Sequence, residues 1–163
     1  MDVPPIEQFD DAKKILAISE LFTIHAADLR KRPELFGASL RYRIIAGGLV
    51  RAEDYIQAMR LRTELARKLQ AVLSTVDLLM LPTAEPAKKL EPVPPSTLFT
   101  RPSLTAAFNV GGNPALSVCS GFDARGLPFS LQIVGRLFDE ATVLRAGDAY
   151  EKATPWRDKR PVL

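Results

Sequence analysis

The chain has 163 residues, 47% of them hydrophobic and 25% charged, which suits one soluble domain with a buried core and excludes a disordered or purely fibrous polypeptide. Twenty-two basic and nineteen acidic residues leave a formal charge of +3, and because the signs are interleaved they give no support to a nucleic-acid-binding stripe. No apolar run reaches the roughly eighteen residues of a bilayer span, and the first nine residues lack the basic start and apolar core of a signal peptide, so the expected location is the cytoplasm, with no membrane partner.

Val3-Pro4-Pro5 reads as extended, since a residue before proline is pushed out of helical geometry. A helix is expected next, capped by Asp10 or Asp11, with Ile15, Ile18, Phe22, His25 and Leu29 on one face until Pro33. Gly47-Gly48 breaks a short apolar run. Glu53 and Asp54 then open a second helix carrying Tyr55, Met59, Arg62, Ala66, Leu69 and Leu73, while Arg60, Glu64, Arg67 and Lys68 form its opposite, solvated face. Val76 to Leu81 is nearly continuous in apolar character and is stopped by Pro82, the pattern of a strand buried on both faces inside a sheet.

Thirteen prolines are present, and Pro82, Pro86, Pro92, Pro94, Pro95 and Pro102 crowd one stretch, so 82–103 is expected to be an irregular loop. Two further strands are expected, Ala115 to Cys119 and Phe129 to Val134, joined by a turn rich in glycine between Gly121 and Pro128. A last helix starts with Asp139 as its cap and a Phe138 to Val143 staple, and runs to about Lys152. Alternating helices and strands without internal repeats make a mixed α/β domain, with parallel pairing an open possibility.

The common nucleophile and phosphate motifs are missing: no GxSxG, SxxK, adjacent Ser-Ser, Walker loop or HExxH occurs. His25 is the only histidine and lies on an apolar helix face, so it reads as a packed side chain, and a multi-histidine metal site is impossible. Cys119, the only cysteine, excludes an internal disulfide framework or a multi-cysteine metal site and reads as a strand thiol rather than a nucleophile. No metal or cofactor is expected. Alternation along Phe129-Ser-Leu-Gln132-Ile puts Ser130 and Gln132 on one strand face, either lining a pocket or half solvated.

Three ordered strings are more specific than composition: Asp77-Leu-Leu-Met-Leu-Pro82-Thr83, Leu104-Thr-Ala-Ala-Phe-Asn109-Val-Gly-Gly112-Asn-Pro114-Ala-Leu-Ser-Val, and Gly126-Leu-Pro128-Phe-Ser-Leu-Gln132-Ile-Val-Gly135. With Ser19-Glu20 and His25, Arg43-Ile-Ile-Ala-Gly47, and Asp54-Tyr55 followed by Ala58 and Arg62, they resemble, in register, the C-terminal part of the amidase signature family. The resemblance covers about Val3 to Pro161. It implies the fold class α/β, as the later part of an α/β/α sandwich around a mixed sheet, with residues 1–163 forming a single partial domain.

The family resemblance also implies hydrolysis of carbon–nitrogen amide bonds through an acyl-serine, with a bridging serine on a cis peptide and a lysine relaying the proton, all upstream of the matched region. This chain has no Gly-Gly-Ser-Ser stretch, and none of its eight lysines stands in the catalytic-lysine context. No catalytic residue is therefore assigned. Arg43 and Gln132 match positions that in relatives lie toward the substrate pocket. Cys119 stands where relatives commonly have proline. Pro102 stands where the aminoacyl-tRNA amidotransferases of the family carry an acidic substrate-binding residue.

The implied function is that of an amidase-family polypeptide inactive alone. Its expected partners are a second copy or a separate N-terminal half, and a small amide binds only once the site is completed. The alternatives are a non-catalytic assembly or binding module, the C-terminal half of a split amidase and, with no motif behind it, an enzyme of independent design.

Overall fold

The computed structural model describes residues 3–84 and 103–160, together with Pro94 and Thr97. The expected loop over 82–103 therefore lies for the most part outside the described residues. Along the chain the helices are α1 (Ile6–Lys31), α2 (Ala38–Gly47), α3 (Ala52–Leu73), α4 (Ala106–Gly111) and α5 (Glu140–Ala153), and the strands are β1 (Leu79–Pro82), β2 (Ala115–Phe122) and β3 (Pro128–Val134). Short 3-10 turns at Pro33–Leu35 and Trp156–Asp158 complete the described elements.

Helix α1 begins directly after the extended Pro5, several residues earlier than the expected Asp10 or Asp11 cap. Pro5 makes no side-chain cap there, and Glu7 places the acidic charge in the first turn. Asp10 instead lies inside the helix, almost fully buried, with Lys13 Nζ at 2.8 Å and Lys14 Nζ at 2.6 Å from its carboxylate. Burial alone would raise its carboxyl, but the two lysines, by hydrogen bonding and charge, hold it below the ordinary value.

The expected single stripe on α1 divides into two, because the helix serves two neighbours. Phe9, Ala12 and Leu16 are its buried apolar residues, and Phe9 and Ala12 join Leu65, Leu69 and Leu73 of α3 and Ala106, Phe108 and Val110 of α4 in one core. Further along, Ile18 and Phe22 receive Gly47 of α2 so closely that a Cβ there would overlap the Ile18 carbonyl. His25 packs edge-on against Phe36, with ring centroids 5.9 Å apart, as its place on an apolar face leads one to expect. The sequence reading missed α2 itself, treating Gly47-Gly48 as a break rather than as the site of a close helix crossing.

Helix α3 starts at Ala52 near the expected position. Its buried stripe is Ala58, Leu65, Leu69, Val72 and Leu73, displaced from the expected one, and Met59 is exposed. The charged face is solvated as expected, with Lys68 paired to Glu64 at 2.6 Å. After α3, the Arg136 guanidinium donates to the carbonyls of Leu73 at 3.1 Å and Val76 at 2.9 Å, tying the helix end to the exit of β3.

The sheet has the order β1–β3–β2. Helices and sheet together give the expected α/β class; both pairings are antiparallel, so the parallel option does not hold among the described strands, where a short turn between 122 and 128 is enough to join β2 to β3 and parallel neighbours would need a long crossover. Asp123 shapes that turn by accepting from the backbone amides of Arg125 and Leu127, each at 2.9 Å. The backbone amide of Leu127, then Arg125, holds the Asp123 carboxyl below its ordinary value. Strand β1 is shorter than expected and lies at an edge of the described sheet, with Met80 exposed, so it is not a strand buried on both faces.

Apolar packing covers both sides of the sheet. Leu79, Leu81 and Val134 join the α1/α3/α4 core, while Val118 and Ile133, with Leu116 and Leu131, pack on Val143 and Ala146 of α5. The cap of α5 is as expected, Asp139 accepting from the Thr142 amide at 3.4 Å. The staple is not formed: Phe138 has φ 60 and is 90% exposed, because the left-handed backbone turns its ring away from Val143.

The close crossing of α1 and α2 sets the cost of a new methyl group. Gly47→Ala should lower unfolding free energy in urea by about 1–3 kcal/mol, because backbone rather than a movable side chain opposes it. Gly37→Ala, with open space around it, should change it by less than about 1 kcal/mol. Asp10, with a lowered native carboxyl value, stabilises the fold above the unfolded carboxyl range and loses that contribution as pH falls through the native value. Urea titrations between about pH 7 and pH 3 should therefore show a shallower acid loss for Asp10→Asn than for the parent.

Candidate functional site

One face of the sheet changes character along its length. At one end Leu79 and Val134 are packed by the helices, while toward the other the same face presents Thr83, Ser117, Ser130 and Gln132. Strand alternation produces this grouping: Ser117 stands opposite Gln132, and Cys119 opposite Ser130. Thr83 Oγ1 lies 3.2 Å from Ser117 Oγ, and the Thr83 amide donates to the Ser130 carbonyl at 3.0 Å.

Gln132 is almost fully buried, and its Nε2 donates to the carbonyls of Pro82 and Leu104, both at 3.0 Å. The two amide hydrogens thus join the end of β1 to the segment leading into α4. Nearby, Ser103 Oγ and Thr105 Oγ1 are 2.9 Å apart. The expectation that Ser130 and Gln132 share a face is met; the Gln132 amide hydrogens, however, are held by protein carbonyls.

The segment that follows is fixed by a second polar knot. Asn113 Nδ2 donates to the Gly135 carbonyl at 2.9 Å, and its Oδ1 accepts from Gln70 Nε2 of α3 at 3.0 Å. Gly112, with φ 76, terminates α4 in the left-handed conformation, donating its amide to the Phe108 carbonyl at 2.8 Å. At Gly111 a Cβ would meet Asn113 Oδ1 at 2.5 Å and Leu69 at 2.8 Å. The Gly111-Gly112-Asn113-Pro114 text therefore reads as structural: a helix stop, a close helix contact and an amide that bridges layers.

Arg43 lies elsewhere, on α2, whose main packing partner is α1. Its Nε is buried and has no hydrogen-bond partner among the described residues. Among the described residues, no hydrogen bond connects Arg43 with Gln132. Beside the α2–α3 turn runs an open groove of about 790 Å³, lined in part by Ser19, Glu20, Phe22, Gly48 and Tyr55.

Among the described residues, no serine hydroxyl hydrogen-bonds a lysine or histidine: Ser19 and Ser74 donate to backbone carbonyls, and Ser103 and Ser117 meet threonines. The described part therefore contains no nucleophile and base in contact. Cys119 is half-buried, with its Sγ directed at the Gly121 carbonyl at 3.6 Å, the setting of a packed strand thiol. No group of three His, Cys, Asp or Glu residues that could hold a metal ion occurs among the described residues. No described helix is long and apolar enough to cross a membrane.

The text and the fold of this chain recur in known proteins. Residues 5–144 match the family model described as Amidase. An amidase of Pseudomonas putida is 36% identical over 174 residues, covering 100% of this chain and 37% of that protein. A glutamyl-tRNA(Gln) amidotransferase subunit of Methanosarcina acetivorans is 40% identical over 147 residues, covering 84% of this chain and 30% of that protein. Among solved structures, an amidase superposes with a TM-score of 0.76 at 27% identity, over 91% of this chain and 36% of the other. The matched text, the shared fold and the share of each relative that is covered lead to one statement: this chain belongs to the amidase signature family, and it carries the C-terminal part of the family domain, spanning between 30% and 37% of the length of the relatives named above.

Proposed function

We propose that residues 1–163 act as one partial domain, joined internally by the 82–103 segment, that supplies the later strands, flanking helices and one pocket wall of an enzyme hydrolysing carbon–nitrogen amide bonds. The observation that carries this reading is a strong match to the C-terminal third of amidases combined with the absence, among the described residues, of a serine in contact with a base. The acyl-forming serine, the bridging serine and the lysine would come from the upstream part of a family domain, and a small amide in the cytoplasm would be the substrate once that part is present. The amidotransferase relatives are named for glutamyl-tRNA(Gln); a simple amide suits this chain better, because Pro102 replaces the acidic residue expected in that group, although Pro102 itself lies outside the described residues.

Within this reading, Arg43 and Gln132 have different parts. The unpartnered Arg43 Nε is a donor for an anionic or carbonyl group brought by the upstream part or the substrate. Gln132 positions the wall by holding the Pro82 and Leu104 carbonyls. A second reading, a non-catalytic assembly module, is favoured by the outer edge of β2, which no described strand pairs, and it too requires a protein partner or a second copy.

Labelling the purified chain with a serine-directed fluorophosphonate, read by intact mass, should give no stoichiometric adduct, and a panel of small amides should release no ammonia. One adduct on a single serine accompanied by ammonia release would overturn the proposal. Gln132→Leu should lower stability by about 1–3 kcal/mol in urea unfolding, since the Leu104 carbonyl loses its partner in a part-buried setting. Arg43→Ala should leave stability within about 1 kcal/mol of the parent, because the lost Nε has no partner to abandon.

A further inference from the structure

Helical spacing sets Lys13, Leu16 and Glu20 on one side of α1, at steps of three and four. Arg62 of α3 and Asn109 and Val110 of α4 meet that side, and these residues line a cleft of about 320 Å³. This is the small end of the range for ligand cavities. Leu16 and Val110 are buried and give the cleft an apolar floor. Glu20, Arg62 and Asn109 belong to the strings singled out in the sequence, yet none of them takes part in the Gln132 or Asn113 hydrogen bonds.

The polar groups of the cleft have capacity to spare. Arg62 Nε donates to the Val110 carbonyl at 3.3 Å, which fixes the guanidinium and leaves its terminal nitrogens without a hydrogen-bond partner among the described residues. Lys13 Nζ lies 2.8 Å from the Asp10 carboxylate, but that one acid is divided between Lys13 and Lys14. The Glu20 carboxylate is exposed and has neither an ion pair nor a hydrogen bond among the described residues. The side-chain amide of Asn109, able both to donate and to accept, has no partner among them either.

These charges are separated along the cleft. Residues 11–15 of α1 border α3 near 54–61, whereas residues 19–24 border it near 51–56. The two helices therefore run antiparallel, and Arg62 stands toward the Lys13 end. Seven residues of helix put Glu20 about 10 Å further along the axis. The cleft thus has cations at one end, a carboxylate at the other and an apolar floor, which complements a short hydrocarbon chain charged oppositely at its two ends.

We propose that this cleft binds an ω-amino acid, with the ligand carboxylate toward Arg62 and Lys13 and its ammonium toward Glu20. An α-amino acid, whose charges are adjacent, reaches only one end. The assignment does not depend on the upstream-completion reading of the chain, since every residue it uses is present here.

The test titrates the isotope-labelled chain with four ligands of one carbon skeleton, read by NMR of the backbone amides and the Asn109 side-chain amide. δ-Aminovalerate carries both charges apart, norvaline carries both together, valerate lacks the ammonium and pentylamine lacks the carboxylate. The expected result is saturable shifts at 17–20 and 109–110 with δ-aminovalerate, bound about threefold or more tightly than each of the other three. Glu20→Gln, at an exposed position, should bring δ-aminovalerate down to the affinity of valerate, and Arg62→Gln to that of pentylamine. Should Arg62→Gln fail to fold, Glu20→Gln decides alone. No saturable shift in the folded chain at millimolar ligand overturns the site. Equal binding of norvaline overturns the separated charges, and unchanged binding in Glu20→Gln overturns the role of that carboxylate.

Discussion

The described strands of this protein are joined only through β3, which is bonded on both sides. Ser130, Gln132 and Val134 direct their peptide groups to β1, and Leu131, Ile133 and Gly135 direct theirs to β2. Side chains obey the same alternation in the perpendicular direction, with Leu131 and Ile133 meeting α5 and Val134 meeting the α1/α3/α4 core. A one-residue slip of β3 would therefore exchange both cores and both hydrogen-bond partners at once. Gln132 adds a further constraint, since its amide reaches the Pro82 and Leu104 carbonyls only in the observed register.

Much of this was legible in the amino-acid sequence. The last helix with Asp139 as its cap, the turn between β2 and β3, the second long helix and the shared face of Ser130 and Gln132 all follow from local patterns, because each depends on neighbours within a few residues. The errors have a common cause in tertiary context. Asp10 resembles a helix cap by residue type, but Pro5 had already set the helix start, and paired lysines allow the carboxylate to be buried. Gly47-Gly48 resembles a break until α1 is placed against it. Phe138 resembles a staple until its backbone φ of 60 is known.

The candidate site was legible in a different way. Gln132 and the glycine-asparagine text stand out in the sequence, yet periodicity does not show that they hold backbone carbonyls, an α4 stop and a helix-to-strand bridge. Arg43 was named only through family resemblance, and the structure adds what resemblance lacks, a buried Nε without a hydrogen-bond partner among the described residues. The contact between Asn113 and Gln70 was missed because it spans 43 residues of sequence, and Gln70 carries no motif on its own.

The Asn113 amide has a mechanical consequence. One side chain grips α3 through Gln70 and the sheet through the Gly135 carbonyl, while its backbone amide donates to the Phe108 carbonyl of α4. It works as a rivet through three plates: the helical layer cannot shear across the strands without first breaking these bonds in a part-buried setting. A load applied to the free edge of the sheet would thus pass into the long helices rather than bend the strands away from them.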